Sequence, residues 1–157
     1  MDGLTVTQLA EIAGANARSV QHWAASGILL ALPVSNRKGT GTPRLFPYDE
    51  AIVAVIMQAL HGRQMPVGAM LRVAAMVRIN LLPHAGGHRL LLNRIILNGQ
   101  KAWFVDLGNE DDNPAKIVLD TDEAFGRVFA GMKANTTALV IDLTAALAGV
   151  RGRIPGC

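Results

Sequence analysis

The sequence predicts an α+β fold: an N-terminal winged helix-turn-helix domain followed by a small C-terminal region of a hairpin plus helices. Three observations carry this reading. Residues 8–13 and 17–26 are short amphipathic segments separated by little more than Gly14. Residues 28–46 then place Pro33, Pro43 and a polar turn between two short apolar runs. Beyond residue 87, apolar stretches flank Asn98-Gly99, a strong short-range hairpin signal.

Each element has a local reason. Thr7 is placed to cap the first helix, whose inner face is Leu9, Ile12 and Ala13 at i, i+3, i+4 spacing. Gly14 supplies the left-handed residue that ends it, and Asn16 can cap the next helix. On residues 17–26, Val20, Trp23 and Ala24 share one side, while Arg18, Gln21, His22 and Ala25 share the other. Residues 28–32 and 44–46 can pair as strands around the 36–41 turn, making a wing that carries Arg37, Lys38 and Arg44.

A third helix is expected over 48–60, with Asp49 and Glu50 in its first turn and Ile52, Val55 and Ile56 on its apolar stripe. A fourth is expected over 66–79, opened by Pro66, with Arg72 and Arg78 on a solvated face together with Arg63. Residues 80–87, with Pro83 and two glycines, read as a linker. Strands are expected at 89–97, 101–107 and 115–119, and helices at 121–133 and 136–150. The last of these carries Leu139, Leu143, Leu147 and Val150 on one stripe. The domains are therefore 1–79, the winged helix-turn-helix; 80–87, the linker; and 88–157, an α+β dimerisation or effector region.

Composition narrows the class. Half of the 157 residues are hydrophobic, too many for a disordered chain. No apolar run reaches the length of about 18 residues that a membrane span needs. The single cysteine, Cys157, allows no intrachain disulfide and fits a reducing, cytoplasmic setting. The first residues lack the basic start and long apolar run of a secretory signal. Net charge is +3, but unevenly spread: residues 12–105 hold ten Lys or Arg against two acids, whereas residues 106–157 hold five against eight. A basic front and an acidic back point to a polyanionic partner for the front.

The segment TVTQLAEIAGANARSVQHWAASGIL resembles the N-terminal domain of MerR-like transcription regulators. The resemblance rests on Thr7, Leu9-Ala10, Gly14, Arg18, Ser19, the pair His22-Trp23 and Gly27-Ile28-Leu29. Arg44-Leu45-Phe46 stands at that family's Arg-x-aromatic position, with Asp49 following. Gly62 and Met65-Pro66-Val67 stand at its turn between third and fourth helices. It covers about residues 4–78. The family usually has two tyrosines where His22 and Trp23 stand, an arginine where Gln21 stands, and a long coiled-coil helix after the fourth helix. Its metal sensors use cysteines near that coil, which this chain lacks.

The resemblance implies a regulator binding double-stranded DNA as a homodimer, with RNA polymerase as a further partner. The DNA-contacting residues would be Thr7, Asn16, Arg18, Ser19, Gln21, His22, Arg37, Lys38 and Arg44. Their chemistry suits the task. Cations gain affinity by releasing counterions from phosphates, and a helix can read base edges in the major groove. The dimer contact would come from the stripe of Leu139, Leu143, Leu147 and Val150. A DNA-bending accessory protein of recombination or mobile elements, similar to excisionases, is the alternative. A partner- or small-molecule-binding module built on residues 88–150 is the third.

Enzymatic chemistry is thinly represented. There is no Gly-rich phosphate loop and no Gly-x-Ser-x-Gly elbow, and neither Ser26 nor Ser35 has an evident base partner. His84 and His88 are separated by Gly86-Gly87, which removes the meaning of their helical spacing, so a site with Asp111 and Asp112 would be a tertiary accident. No enzyme, cofactor or metal site is expected.

Overall fold

The computed structural model of the chain describes residues 2–36, 41, 43–82, 89–106, 116–119, 126–127, 130, 138–150 and 152–154. They form six helices and a three-stranded antiparallel sheet, an α+β arrangement.

Helix α1 (Val6–Ala13) is capped by Thr5, not Thr7. The Thr5 hydroxyl accepts the Gln8 N–H at 3.3 Å, and Gln8 Oε1 accepts the Thr5 N–H at 2.9 Å. That reciprocal pair needs an amide or carboxylate three residues on. Thr5 has Gln8 there, whereas Thr7 has only Ala10. Gly14, at φ 65°, ends α1 in the left-handed region that a side chain would disfavour. Helix α2 (Ala17–Ala25) begins at once, because Asn16 Oδ1 accepts the Ser19 N–H at 2.7 Å. Val20 and Trp23 bury α2 against the core.

The expected wing pairing is only partly present. Leu32 donates one backbone hydrogen bond to Leu45, but Phe46 pairs with Leu4, with bonds of 2.8 and 2.9 Å in the two directions. Buried Ser35 bridges the two runs, accepting the Leu45 N–H and donating to the Leu32 carbonyl, both at 2.9 Å. Side-chain chemistry thus takes the place of a ladder between 28–32 and 44–46.

Helix α3 (Glu50–Leu60) is buried continuously from Glu50 to Met57. A helix that is apolar all round belongs at the centre of a fold. It packs against α1, against α4 (Val67–Leu81) and against a short C-terminal helix. Of the two arginines expected on a solvated face of α4, Arg78 is turned inward, while Arg72 stays half-buried and is held by an ion pair. Arg78 is buried, and its guanidinium meets Glu50 at 2.6 Å (Nε–Oε1) and 2.8 Å (Nη2–Oε2). It also donates to the Ile28 carbonyl, and the Leu30 N–H reaches Glu50 Oε2 at 3.0 Å. Arg72 makes a two-pronged pair with Asp106, both contacts at 2.9 Å.

The C-terminal half departs most from expectation. Residues 89–97, expected as a strand, lie in helix α5 (Arg89–Asn98). Leu92, Ile95 and Ile96 are its buried positions, a helical i, i+3, i+4 set. Gly99 has φ 63°, and the Gln100 N–H returns to the Arg94 carbonyl at 3.0 Å. Asn-Gly therefore closes a helix here; a left-handed glycine serves either end equally well.

Strands β1 (Ala102–Asp106) and β2 (Lys116–Leu119) lie where strands were expected, but β1 pairs with β2 instead of with residues 89–97, Phe104 standing opposite Ile117. The other neighbour of β1 is β3 (Leu139–Asp142), where a helix was expected. Val140 and Ile141 are β-branched and align with Val105 and Phe104. Asp142 then caps α6 (Leu143–Leu147) by accepting the Ala145 N–H at 2.9 Å. The expected helix at 121–133 lies almost wholly outside the described residues.

One apolar cluster runs from Leu4 to Ile154 and includes residues of all six helices, of β1 and of β3, with Ile117 and Leu119 of β2 packed against it. Leu81 and Leu82, placed in the expected linker, are fully buried in it, and Asn80 and Leu81 are still helical. The remainder of that linker, residues 83–87, lies outside the described residues.

The Arg78–Glu50 pair gives a stability prediction. Arg78→Met leaves a buried carboxylate without its guanidinium and should lower the unfolding free energy by about 3–5 kcal/mol in urea titrations. The double change Glu50→Leu with Arg78→Met should recover most of that loss. A single variant as stable as the parent would show that the pair holds nothing together.

Candidate nucleic-acid interface

Helix α2 has two faces with different fates. Val20 and Trp23 are buried, while Arg18, Gln21 and His22 are exposed and Ser19 is half-buried. This separation follows from the helical period, which puts residues 20 and 23 on one side and 18, 21 and 22 towards the other. After α2 the chain turns at Gly27, and the Ile28 and Leu29 N–H groups both return to the Trp23 carbonyl, at 2.9 and 3.2 Å. The turn buries Ile28 and Leu29 immediately after the exposed face ends.

Asn16 is exposed, but its carboxamide oxygen is committed to capping α2. Thr7 is exposed in the first turn of α1 without the capping role expected of it. Arg44 is half-buried two residues before the Leu4–Phe46 bridge. Arg37 and Lys38 lie outside the described residues. The structure thus brings Asn16, Arg18, Ser19, Gln21 and His22 together on one helix.

A groove of about 380 Å³ lies beside this helix. Arg18, Ser19 and His22 line one wall, and His61, Gln64 and Met65, from the turn between α3 and α4, line the other. The turn reverses sharply through Gly62 at φ 82° and Gln64 at φ 51°. A left-handed glutamine is uncommon and costs on the order of 1 kcal/mol, which the surrounding packing must offset. His61 and Gln64 were not singled out from the sequence. The available signal was the polar run His61-Gly62-Arg63-Gln64 between two apolar helices, but nothing local says that it folds back on α2.

Electrostatics favour an anion here. Among the described residues, no acid lines the groove. The sequence has no Asp or Glu anywhere between Glu11 and Asp49. A larger cavity of about 520 Å³ lies elsewhere, between α1 and Arg153, but its lining includes Glu11 and gives no such field. Among the described residues there is no cluster of three or more His, Cys, Asp or Glu that could hold a metal. No described helix is long and apolar enough to cross a membrane.

The expected dimer stripe is not available at the surface. Leu143, Leu147 and Val150 are at most 1% exposed and belong to the chain's own core, and Leu139 packs against that core. The stripe was read correctly as apolar; its partner is α3 of the same chain, which packs on α6.

Comparison with known protein families and with curated proteins finds no match to this chain.

The capping role of Asn16 can be tested by substitution. Asn16→Ala should lower stability by about 1 kcal/mol, the usual worth of an N-cap, whereas Asn16→Asp should retain the cap. Thermal or urea unfolding of the two variants reads this directly, and equal losses would show that the cap bond contributes nothing.

Proposed function

We propose that this protein is a sequence-specific DNA-binding transcriptional regulator, with residues 1–79 acting as a winged helix-turn-helix and α2 as the reading helix. The observation that carries the proposal is the outward face of α2. Arg18, Gln21 and His22 stand there together, in a stretch of sequence without a single acid, on a helix fixed by buried Val20 and Trp23. Anchorage matters, because base readout requires donors held in register while phosphate contacts position the helix.

Roles follow from side-chain chemistry. Arg18 can donate two parallel hydrogen bonds to a guanine edge, and Gln21 can pair with adenine in the same manner. Ser19 suits either a base or a phosphate. His22 suits a phosphate. Arg37, Lys38 and Arg44 would hold the flanking backbone. A homodimer reading two half-sites belongs to the same proposal, but its contact must come from a surface other than that of Leu143, Leu147 and Val150, which the monomer's core occupies.

Selection of bound genomic fragments, followed by gel shifts across a salt series, tests this. Arg18→Ala should cost about 1–3 kcal/mol on the preferred site and relax preference at one base pair. Arg44→Ala should weaken all sequences alike and reduce the salt slope by about 1. Folded protein that binds no duplex at low salt would overturn the proposal. An Arg18→Ala variant with unchanged preference would remove α2 as the reader.

A further inference from the structure

We infer that the groove between α2 and the α3–α4 turn is a proton-linked phosphate site, in which His22 and His61 together make anion binding stronger as pH falls. The inference goes beyond the DNA reading and rests on it only for the identity of the physiological ligand, a phosphodiester.

The two histidines come from different elements. His22 lies in the last turn of α2, and His61 is the residue that ends α3. Both are exposed and line the same groove with Arg18. Arg18 is the only permanently charged side chain among the described residues lining it. The remaining polar walls are Asn16, Ser19 and Gln64, which do not titrate, and α3 and α4 contribute the apolar Leu60 and Met70. No Asp, Glu, Lys, Tyr or Cys is present in that lining. Nothing described in the groove therefore supplies a negative charge to neutralise a protonated imidazole.

A neutral imidazole offers an anion one N–H donor at most, whereas the protonated ring offers a second donor and a positive charge. An anion that contacts both rings binds the doubly protonated protein best and so takes up protons on binding. The sign is fixed: affinity increases as the imidazoles take up protons and declines as they lose them. Arg18 supplies an attraction that does not depend on protonation, and the histidines make binding responsive.

The test uses the full chain with two probes, a duplex carrying the preferred site and inorganic tripolyphosphate, at pH 5.5 and 7.5. Wild-type protein should bind each probe roughly three- to thirtyfold more tightly at pH 5.5, the range expected for two exposed charge contacts. For the duplex, the slope of log affinity on log salt should steepen by about 0.9 for each histidine that reaches a phosphate. The variant His22→Gln with His61→Gln should bind each probe with nearly the same affinity at pH 5.5 as at pH 7.5, its fold being checked by thermal unfolding. Arg18→Gln should weaken both probes at both pH values. PH-dependent tripolyphosphate binding without any duplex binding supports the groove and removes DNA as its ligand. Duplex binding that does not change with pH, or a gain that survives the double substitution, overturns the inference and leaves the DNA reading standing. Failure of tripolyphosphate to bind at pH 5.5 overturns it as well.

Discussion

The buried contact between Glu50 and Arg78 fixes the relative positions of the parts on which everything else depends. Taking both charges out of water costs several kcal/mol per ion, so such a pair persists only when its hydrogen-bonding capacity is filled. Here the filling comes from a third element. The Ile28 carbonyl takes an Arg78 N–H, and Glu50 Oε2 takes the Leu30 N–H. The start of α3, the late turns of α4 and the segment leaving α2 are therefore tied at one point. Because the network uses main-chain groups of residues 28 and 30, it specifies where α2 must end and which way its outer face looks. A hydrophobic replacement could supply comparable stability, but it could not select those two backbone groups.

That point also explains why the α2 groove exists. Ile28 and Leu30, just after α2, are held by the network, and the α3–α4 turn passes beside α2. The turn can come that close only because Gly62 and Gln64 both adopt left-handed backbone conformations. Rigid anchorage of α2 by Val20 and Trp23, combined with a tight turn opposite, leaves a cleft bounded by cationic and cationisable side chains.

The parts of this arrangement that could be read from sequence are those encoded locally. Asn16, Gly14, Val20 and Trp23 announce their roles within a few residues, and α1 and α2 follow from them. Two misreadings share one physical cause. Asn98-Gly99 signals a left-handed turn, which suits a hairpin and a helix end alike; only the burial of Leu92, Ile95 and Ile96 decides between them. Likewise, Leu139 to Val150 has apolar spacing compatible with one helix, but Val140 and Ile141 gain more by pairing with β1, and Asp142 starts a helix at its own position. Arg78 was misplaced because its partner Glu50 is distant in sequence. A helix-face argument assigns an isolated cation to water and cannot foresee a carboxylate waiting in the core. The groove was invisible for the same reason: His22 and His61 meet only through the fold.

The charge distribution acquires a different meaning once the internal pairs are known. Among the cations of the basic front, Arg72 and Arg78 are engaged inside the molecule, with Asp106 and Glu50. One of those acids belongs to the acidic back, so part of the apparent charge asymmetry is structural cement between α4 and β1. Eight of the ten cations of that front remain, among them exposed Arg18 on α2, half-buried Arg44 and the two that the sequence places beside it, Arg37 and Lys38. In the α2 groove itself, Arg18 is the only permanently charged side chain among the described lining residues. A site of this kind gains most from groups whose charge can be added, and His22 and His61, both lining the groove, are of that kind.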